Sequence, residues 1–279
     1  MIQVRAGKMH QFKTLFVKPV SILALSAALS FIGGCQPSGD AILEEVSDRR
    51  YPIDPAGLII SVSNRDGSIS IYGAGGDLRE VRVETVKRAY TPERLKEISV
   101  QVSAEKNAVS IETTYPARSA GAFSDRSGTV EYVIVVPQAA TISKLELANG
   151  EVLIEEMRSS EAHAQLGSGR LFAHNCFGNL DIHVQTGNIG LVYDWWEERD
   201  FSIRATVDDG NSFAYLPEEA AFHLIANTVT GKIANDFEEK EHRQAEGTTH
   251  VDVLVDGADK PEIEIENHDG NIRIAEHNP

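Results

Sequence analysis

The sequence predicts an all-β fold: a single-stranded β-solenoid, parallel β-helix-like, with coils of roughly 20 residues and a less regular N-terminal part. Three observations carry this expectation. A short polar residue followed by glycine aligns at seven repeat positions, as Asp66-Gly67, Asn149-Gly150, Ser168-Gly169, Thr186-Gly187, Asp209-Gly210, Thr230-Gly231 and Asp269-Gly270. Apolar residues alternate with polar ones on both sides of each glycine, the period of a strand with one buried face. From Gly150 the glycines follow one another at 19, 18, 23 and 21 residues, wider than the turns every 8–12 or so residues of a meander of tight hairpins.

Aligned on the glycine, the position two residues later holds Ile69, Val152, Leu171, Ile189, Ile233 and Ile272. Five residues earlier stand Val62, Leu145, Ala164, Ile182, Ala205, Ala226 and Ile265, and seven earlier Ile60, Ser143, Ala162, Leu180, Ile203, Leu224 and Ile263. The copy at Gly210 departs: Ser212 takes the expected apolar place, and Phe213 and Tyr215 follow one residue late, which predicts a bulge there. Glycine suits a coil corner because it takes φ > 0 without steric cost, and the short polar neighbour can bond local backbone. FGNLDI at 177–182 fits a second corner of the same coil. Residues 58–275 at roughly 20 per coil give about eleven coils, a stack on the order of 50 Å at ~4.8 Å per coil.

The segments before the repeats read differently. Arg5, Lys8, Lys13 and Lys18 lead into the short apolar run SILALSAALSFIGG, with no acid before Asp40. The run has the length of a secretory h-region and is too short for a comfortable transmembrane helix. It ends in IGGC at 32–35, which resembles a bacterial lipobox. The resemblance implies cleavage before Cys35 and acylation of that cysteine. Residues 1–34 are therefore expected to be a lipoprotein signal peptide, and 35–57, polar with three prolines, a lipidated tether. The repeat domain is expected over 58–275, irregular over 58–137 and regular over 138–275, with a tail at 276–279. Within the irregular part, TPERLKEI at 91–98 predicts a short helix capped by Thr91 with Pro92 at its first position. PARSAGAFSDRSG at 116–128 predicts a mobile loop between strands at 107–115 and 129–137.

The chain carries 26 basic and 42 acidic residues, a net charge of −16. Removal of residues 1–34 leaves 22 basic against 42 acidic and a net charge of −20. So acidic a domain argues against binding nucleic acid or lying flat on anionic lipid. Cys176 is the only cysteine besides Cys35, so it is expected as a small core residue rather than a disulfide partner.

The glycine phrases LANGEVLI (147–154), LGSGRLF (166–172), VQTGNIGL (184–191), TVTGKIAND (228–236) and NHDGNIRI (267–274) together resemble a bacterial envelope family of β-solenoid repeats labelled "putative adhesin", of unknown function. YVIVVPQAA (132–140) is similar to that family's strand-then-proline entry, and AYLPEEAAFHLIANTVTGKI (214–233) to its later proline segment. The resemblance spans residues 58–275. It implies the fold and an envelope location, and it carries over no catalytic residues. Gln36 after Cys35 resembles the outer-membrane sorting signal of enteric lipoproteins.

The best candidate contact site is Tyr193, Trp195 and Trp196 in VYDWWEERDF, because exposed aromatic rings suit a protein or sugar partner. For catalysis, Asp208 and Asp209 are the nearest pair of acids, and Asp181 and Asp236 are candidates to meet on adjacent coils. Aspartate beside a turn glycine is more simply backbone chemistry. His163, His174 and His183 are candidates to converge, without HExxH or close Cys/His spacing. GAGGDL at 73–78 reads as a loop, with no helix pattern after it for phosphate binding. The expectation is a lipid-anchored, non-catalytic adhesion, binding or structural module, needing no cofactor or metal. Its expected partners are the membrane through the N-terminal lipid, an unidentified protein or glycan, or a second copy. The alternatives are a β-helix enzyme acting on polysaccharide and a homotypic assembly module.

Overall fold

The computed structural model describes residues 42–116, 128–237 and 248–277. The signal segment, Cys35 and most of the expected loop at 116–128 lie outside the described residues. The described chain is all-β apart from one short helix. Its fifteen strands join in one large mixed sheet that does not close into a barrel.

In chain order the first elements are β1 (Leu43–Pro52), β2 (Ile59–Ala74), β3 (Glu80–Ala89), α1 (Pro92–Glu97), β4 (Ser99–Glu105), β5 (Ala108–Thr114) and β6 (Thr129–Pro137). The long strands β7 (Thr141–Glu155), β8 (Ala162–His174), β9 (Leu180–Val192) and β10 (Ser202–Pro217) follow. The chain ends in β11 (Phe222–Thr230), β12 (Ile233–Asn235), β13 (His250–Val255), β14 (Glu262–Asp269) and β15 (Ile272–His277).

The repeats form the centre of the sheet. β2, β7, β8, β9 and β10 pair parallel, with Gly67, Gly150, Gly169, Gly187 and Gly210 facing one another in register. Each glycine divides its strand into two arms. The first arm of β10 pairs with β14 and its second with β15, and Gly270 lies between those two strands. All seven glycines have φ between 129° and 148°. The residues that alternate inward on both arms are buried, among them Ile60, Val62, Ile69 and Ile71 of β2 and Ile182, Val184, Ile189 and Leu191 of β9. Each such side chain contributes roughly 1.5–3 kcal/mol by leaving water, so a single rung is marginal and the stack holds itself together.

At two places among the described residues, the polar residues before the glycines bond between rungs. Asn149 donates to Asp66 Oδ1 at 2.9 Å and Thr230 to Asp269 Oδ1 at 2.6 Å. A second ladder, not anticipated from sequence, runs one residue after the glycine. The side-chain oxygens of Asn188, Asn211 and Asn271 accept the backbone N–H of Asn211, Asn271 and Lys232 on the next rung, at 3.2, 3.0 and 3.0 Å.

Several expectations are corrected. The stack has seven glycine rungs rather than about eleven coils, spanning roughly 29 Å at ~4.8 Å per step. Its order departs from the sequence, because β14 lies between β10 and β11. The chain skips one rung, turns back through β13, which pairs antiparallel with β11, and then fills the gap. The segment at 35–57 is not all tether. Leu43–Pro52 is a strand paired antiparallel with β3 over ten residues. Its sequence hides this because an edge strand buries little, and its charged side chains pair instead, as in Arg50 to Glu80 and Arg82 to Asp48. Over 58–137 the antiparallel pairs β3–β6 and β4–β5 are added to the two arms of β2. The helix forms where expected, with Thr91 accepting from Arg94 N at 3.2 Å.

The expected bulge at Gly210 is absent. β9 and β10 stay in register through Ser212, which faces Ile189. Ser212 is 2% exposed and donates to Asn267 Oδ1 at 2.6 Å, so a hydrogen bond fills the place of an apolar side chain. Phe213 and Tyr215 point outward, and Phe213 meets Phe172 across Gly190 with ring centroids 5.8 Å apart. The register break lies in β7 instead. There Ile142 takes the inward position and Ser143 is turned out, its hydroxyl donating to Ile60 O at 3.3 Å.

Candidate partner-contact site

The aromatic cluster sits in the loop between β9 and β10, not in a strand. Tyr193 is 0% exposed, and its hydroxyl donates to the Cys176 carbonyl at 2.6 Å. It is therefore a core residue, and its expected place in a contact surface is corrected: a ring sealed on all sides touches no partner. Trp196 is partly buried against the core, within 5.5–5.8 Å of the rings of Tyr193, Phe201 and Phe222. Trp195 turns the other way and is 39% exposed.

Trp195 lies on a built support. Phe177, buried at the second corner of the β8 rung, has its ring centroid 6.0 Å from that of Trp195 and 5.2 Å from that of Tyr193. Arg158 from the β7–β8 connection lies over the Phe177 ring, 5.5 Å from its centroid. Arg158 also grips Glu197, through Nε to Oε2 at 3.2 Å and through a second contact from Nη2 to Oε1. This two-point contact holds the Glu197 carboxyl below its usual range and raises the Arg158 guanidinium. Glu197 Oε1 in turn accepts from Trp195 Nε1 at 3.4 Å. Beside it, Asn175 Oδ1 accepts from Asp194 N at 2.9 Å, and His174 Nε2 lies 3.0 Å from Asp194 Oδ2. The loop is thus pinned to lower rungs by Asn175, Phe177 and Arg158. None of these was singled out as a site residue in the sequence, although the FGN phrase marked the corner that Phe177 occupies. That corner stacks on the previous rung, with Phe177 N donating to Met157 O and Asn179 N to Ser159 O.

The other candidates are not brought together. Asp208 faces His183, whose Nε2 is 3.1 Å from Asp208 Oδ1, while Asp209 stands at the corner and points the other way. Asp181 lies 3.4 Å from His163, and Asp236 pairs with Arg273 on β15. His163 and His183 share one face of the first arms, but His174 is beyond Gly169 on the second arm. The three histidines therefore contact separate acids, His163 and His174 two each and His183 one, and among the described residues no group of three or more His, Cys, Asp or Glu side chains is placed to hold a metal ion. The strongest pair, His163 with Glu161 at 2.7 Å, raises the imidazole above its ordinary value. Cys176 is buried, and desolvation pushes its thiol up to about 12. GAGGDL closes β2 and continues as the loop before β3.

The family model described as Toastrack DUF4097 matches residues 56–275. No curated protein matches the chain. Among solved structures, a "putative cell adhesion protein" from Clostridium sporogenes is similar at 16% identity, covering 84% of this chain and all of its own, with a TM-score of 0.51. A "putative adhesin" from Bacteroides fragilis matches at 13% identity over 87% of this chain and all of its own, with a TM-score of 0.33. No described helix is long and apolar enough to cross a membrane.

Proposed function

Since the chain belongs to the Toastrack DUF4097 family, we propose that it is a non-catalytic binding module of the bacterial envelope. In this reading a lipid on Cys35 anchors it, in the outer membrane where the Gln36 signal is obeyed. The repeat domain is a β-solenoid whose rungs display side chains on a fixed grid. The observation that carries the reading is the Trp195 ring, half out in solvent yet backed by Phe177 and flanked by the Arg158–Glu197 pair. A ring held in this way offers an apolar plate at little entropic cost, with charged and amide groups at its rim. That chemistry suits a sugar ring or a peptide side chain. The polysaccharide-enzyme alternative gains no support from the acids that suggested it, because Asp208 faces a histidine and Asp209 turns away.

Retention on envelope glycan and on envelope protein extract tests the reading, with the lipid-free mature chain and its Trp195→Ala variant. Retention that falls about tenfold or more in the variant, with no new low-mass product, is expected. Turnover of glycan, or retention indifferent to Trp195, would refute it.

A further inference from the structure

We propose that the N-terminal part of the domain carries a slot for a small amphiphilic acid, an anionic group on a short apolar body. Among the described residues β1 pairs only with β3, and β4 only with β5. β4 and β5 extend the first arm of β2, whereas β6, β3 and β1 extend its second arm. The two layers are therefore unjoined where β1 and β4 end the sheet. A cavity of about 120 Å³ lies between them. It is smaller than the roughly 150 Å³ enclosed apolar cavity that takes up benzene, but it opens to solvent on one side, so a ring can seat its apolar edge inside while the charged end stays at the mouth.

The cavity has an apolar side and a cationic side. Val83, Val100 and Val102 supply the first. On the other, the β1–β3 register sets Ser47 opposite Thr85 and Glu45 opposite Lys87, with Arg49 next along the same face. Two features point to an anion. Thr85 is only 5% exposed, and its hydroxyl has no hydrogen-bond partner among the described residues. Arg49 has no ion-pair partner among the described residues, in a chain with 42 acids to 26 bases. The Lys87 ammonium is held at the wall, 2.8 Å from Glu45 and 3.5 Å from the Ile98 carbonyl. Glu45 is more than half exposed, so water weakens its hold on Lys87. Two cations against one carboxylate leave the slot positive within a strongly acidic chain. An acid seated there places its charge between Arg49 and Lys87, with Ser47 and Thr85 as donors, and its hydrocarbon on the valines.

The test is titration of the full-length chain with benzoate, followed by calorimetry, with benzyl alcohol and inorganic phosphate as comparators. Saturable benzoate binding is expected, with both comparators at least about tenfold weaker. Arg49→Gln, at an exposed position without a partner, should keep the fold and weaken benzoate about tenfold. Glu45→Gln should tighten it about two- to fivefold, because the competitor for Lys87 is gone. Val102→Phe should fill the slot and abolish binding. Near-ultraviolet circular dichroism checks that each variant is folded. Absence of benzoate binding, equal binding of phosphate or benzyl alcohol, or indifference to Arg49→Gln in a folded variant overturns the proposal.

Discussion

Gly169 lies directly over Gly150 in the β7–β8 register, and a methyl group on its α-carbon would fall inside contact distance of the Gly150 carbonyl oxygen. The same relation repeats at Gly187 over Gly169, Gly210 over Gly187, Gly270 over Gly210 and Gly231 over Gly270. Two conditions thus coincide at each rung, a positive φ and no room for a Cβ.

Gly169→Ala should therefore destabilise the domain by roughly 2–5 kcal/mol, the sum of left-handed strain and overpacking. Gly76→Ala is the contrast. Gly76 also has positive φ, at 82°, but a Cβ there meets nothing within 4 Å, so only the strain of roughly 1–2 kcal/mol applies. Equilibrium urea unfolding of both variants measures the difference. Equal losses would show that crowding in the glycine column contributes nothing.

The buried Ser212–Asn267 hydrogen bond makes a second prediction. Asn267 also donates to Gly210 O and Asn271 O, both at 3.1 Å. Asn267→Leu strands the Ser212 hydroxyl and those carbonyls and should cost about 1–3 kcal/mol. Adding Ser212→Val should recover part of that loss, since four of the other six rungs carry Leu147, Leu166, Val184 and Val207 at the Asn267 position, with Asn64 and Thr228 on the remaining two. A double-mutant cycle in unfolding free energy reads the coupling, and strict additivity would exclude it.

The Arg158–Glu197 pair sets a pH dependence. The Glu197 carboxyl is lowered in the folded chain, chiefly by its hydrogen bond from Arg158. Its contribution is present above the unfolded carboxylate value near 4.5 and is lost as pH falls through the lower folded value. Stability should decline with acid in this window, and Arg158→Gln should flatten that part of the profile. An unchanged profile in the variant would place the acid sensitivity elsewhere.

Cys176 should be silent toward thiol reagents. Its burial pushes the thiol up to about 12, so little thiolate forms near neutrality. With the native chain, an aromatic disulfide reagent at pH 8 is expected to give no signal from Cys176, and full reaction after unfolding. Rapid native labelling would mean that the second corner opens readily.

The sequence by itself determined the strand period, the positions of the seven glycines and the helix at Thr91, because each depends on a local rule of backbone geometry or capping. It also marked Trp195 and Trp196 as a pair, but only the tertiary structure decided which ring faces out. That choice depends on Phe177 and Arg158 from earlier rungs, contacts that no local pattern encodes. The same holds for β1, whose charges are satisfied by β3, and for Ser212, whose inward place depends on Asn267, 55 residues away. The order of the last rungs was equally hidden. Every rung offers the same apolar period to its neighbours, so only packing of the whole stack decides that β14 enters between β10 and β11.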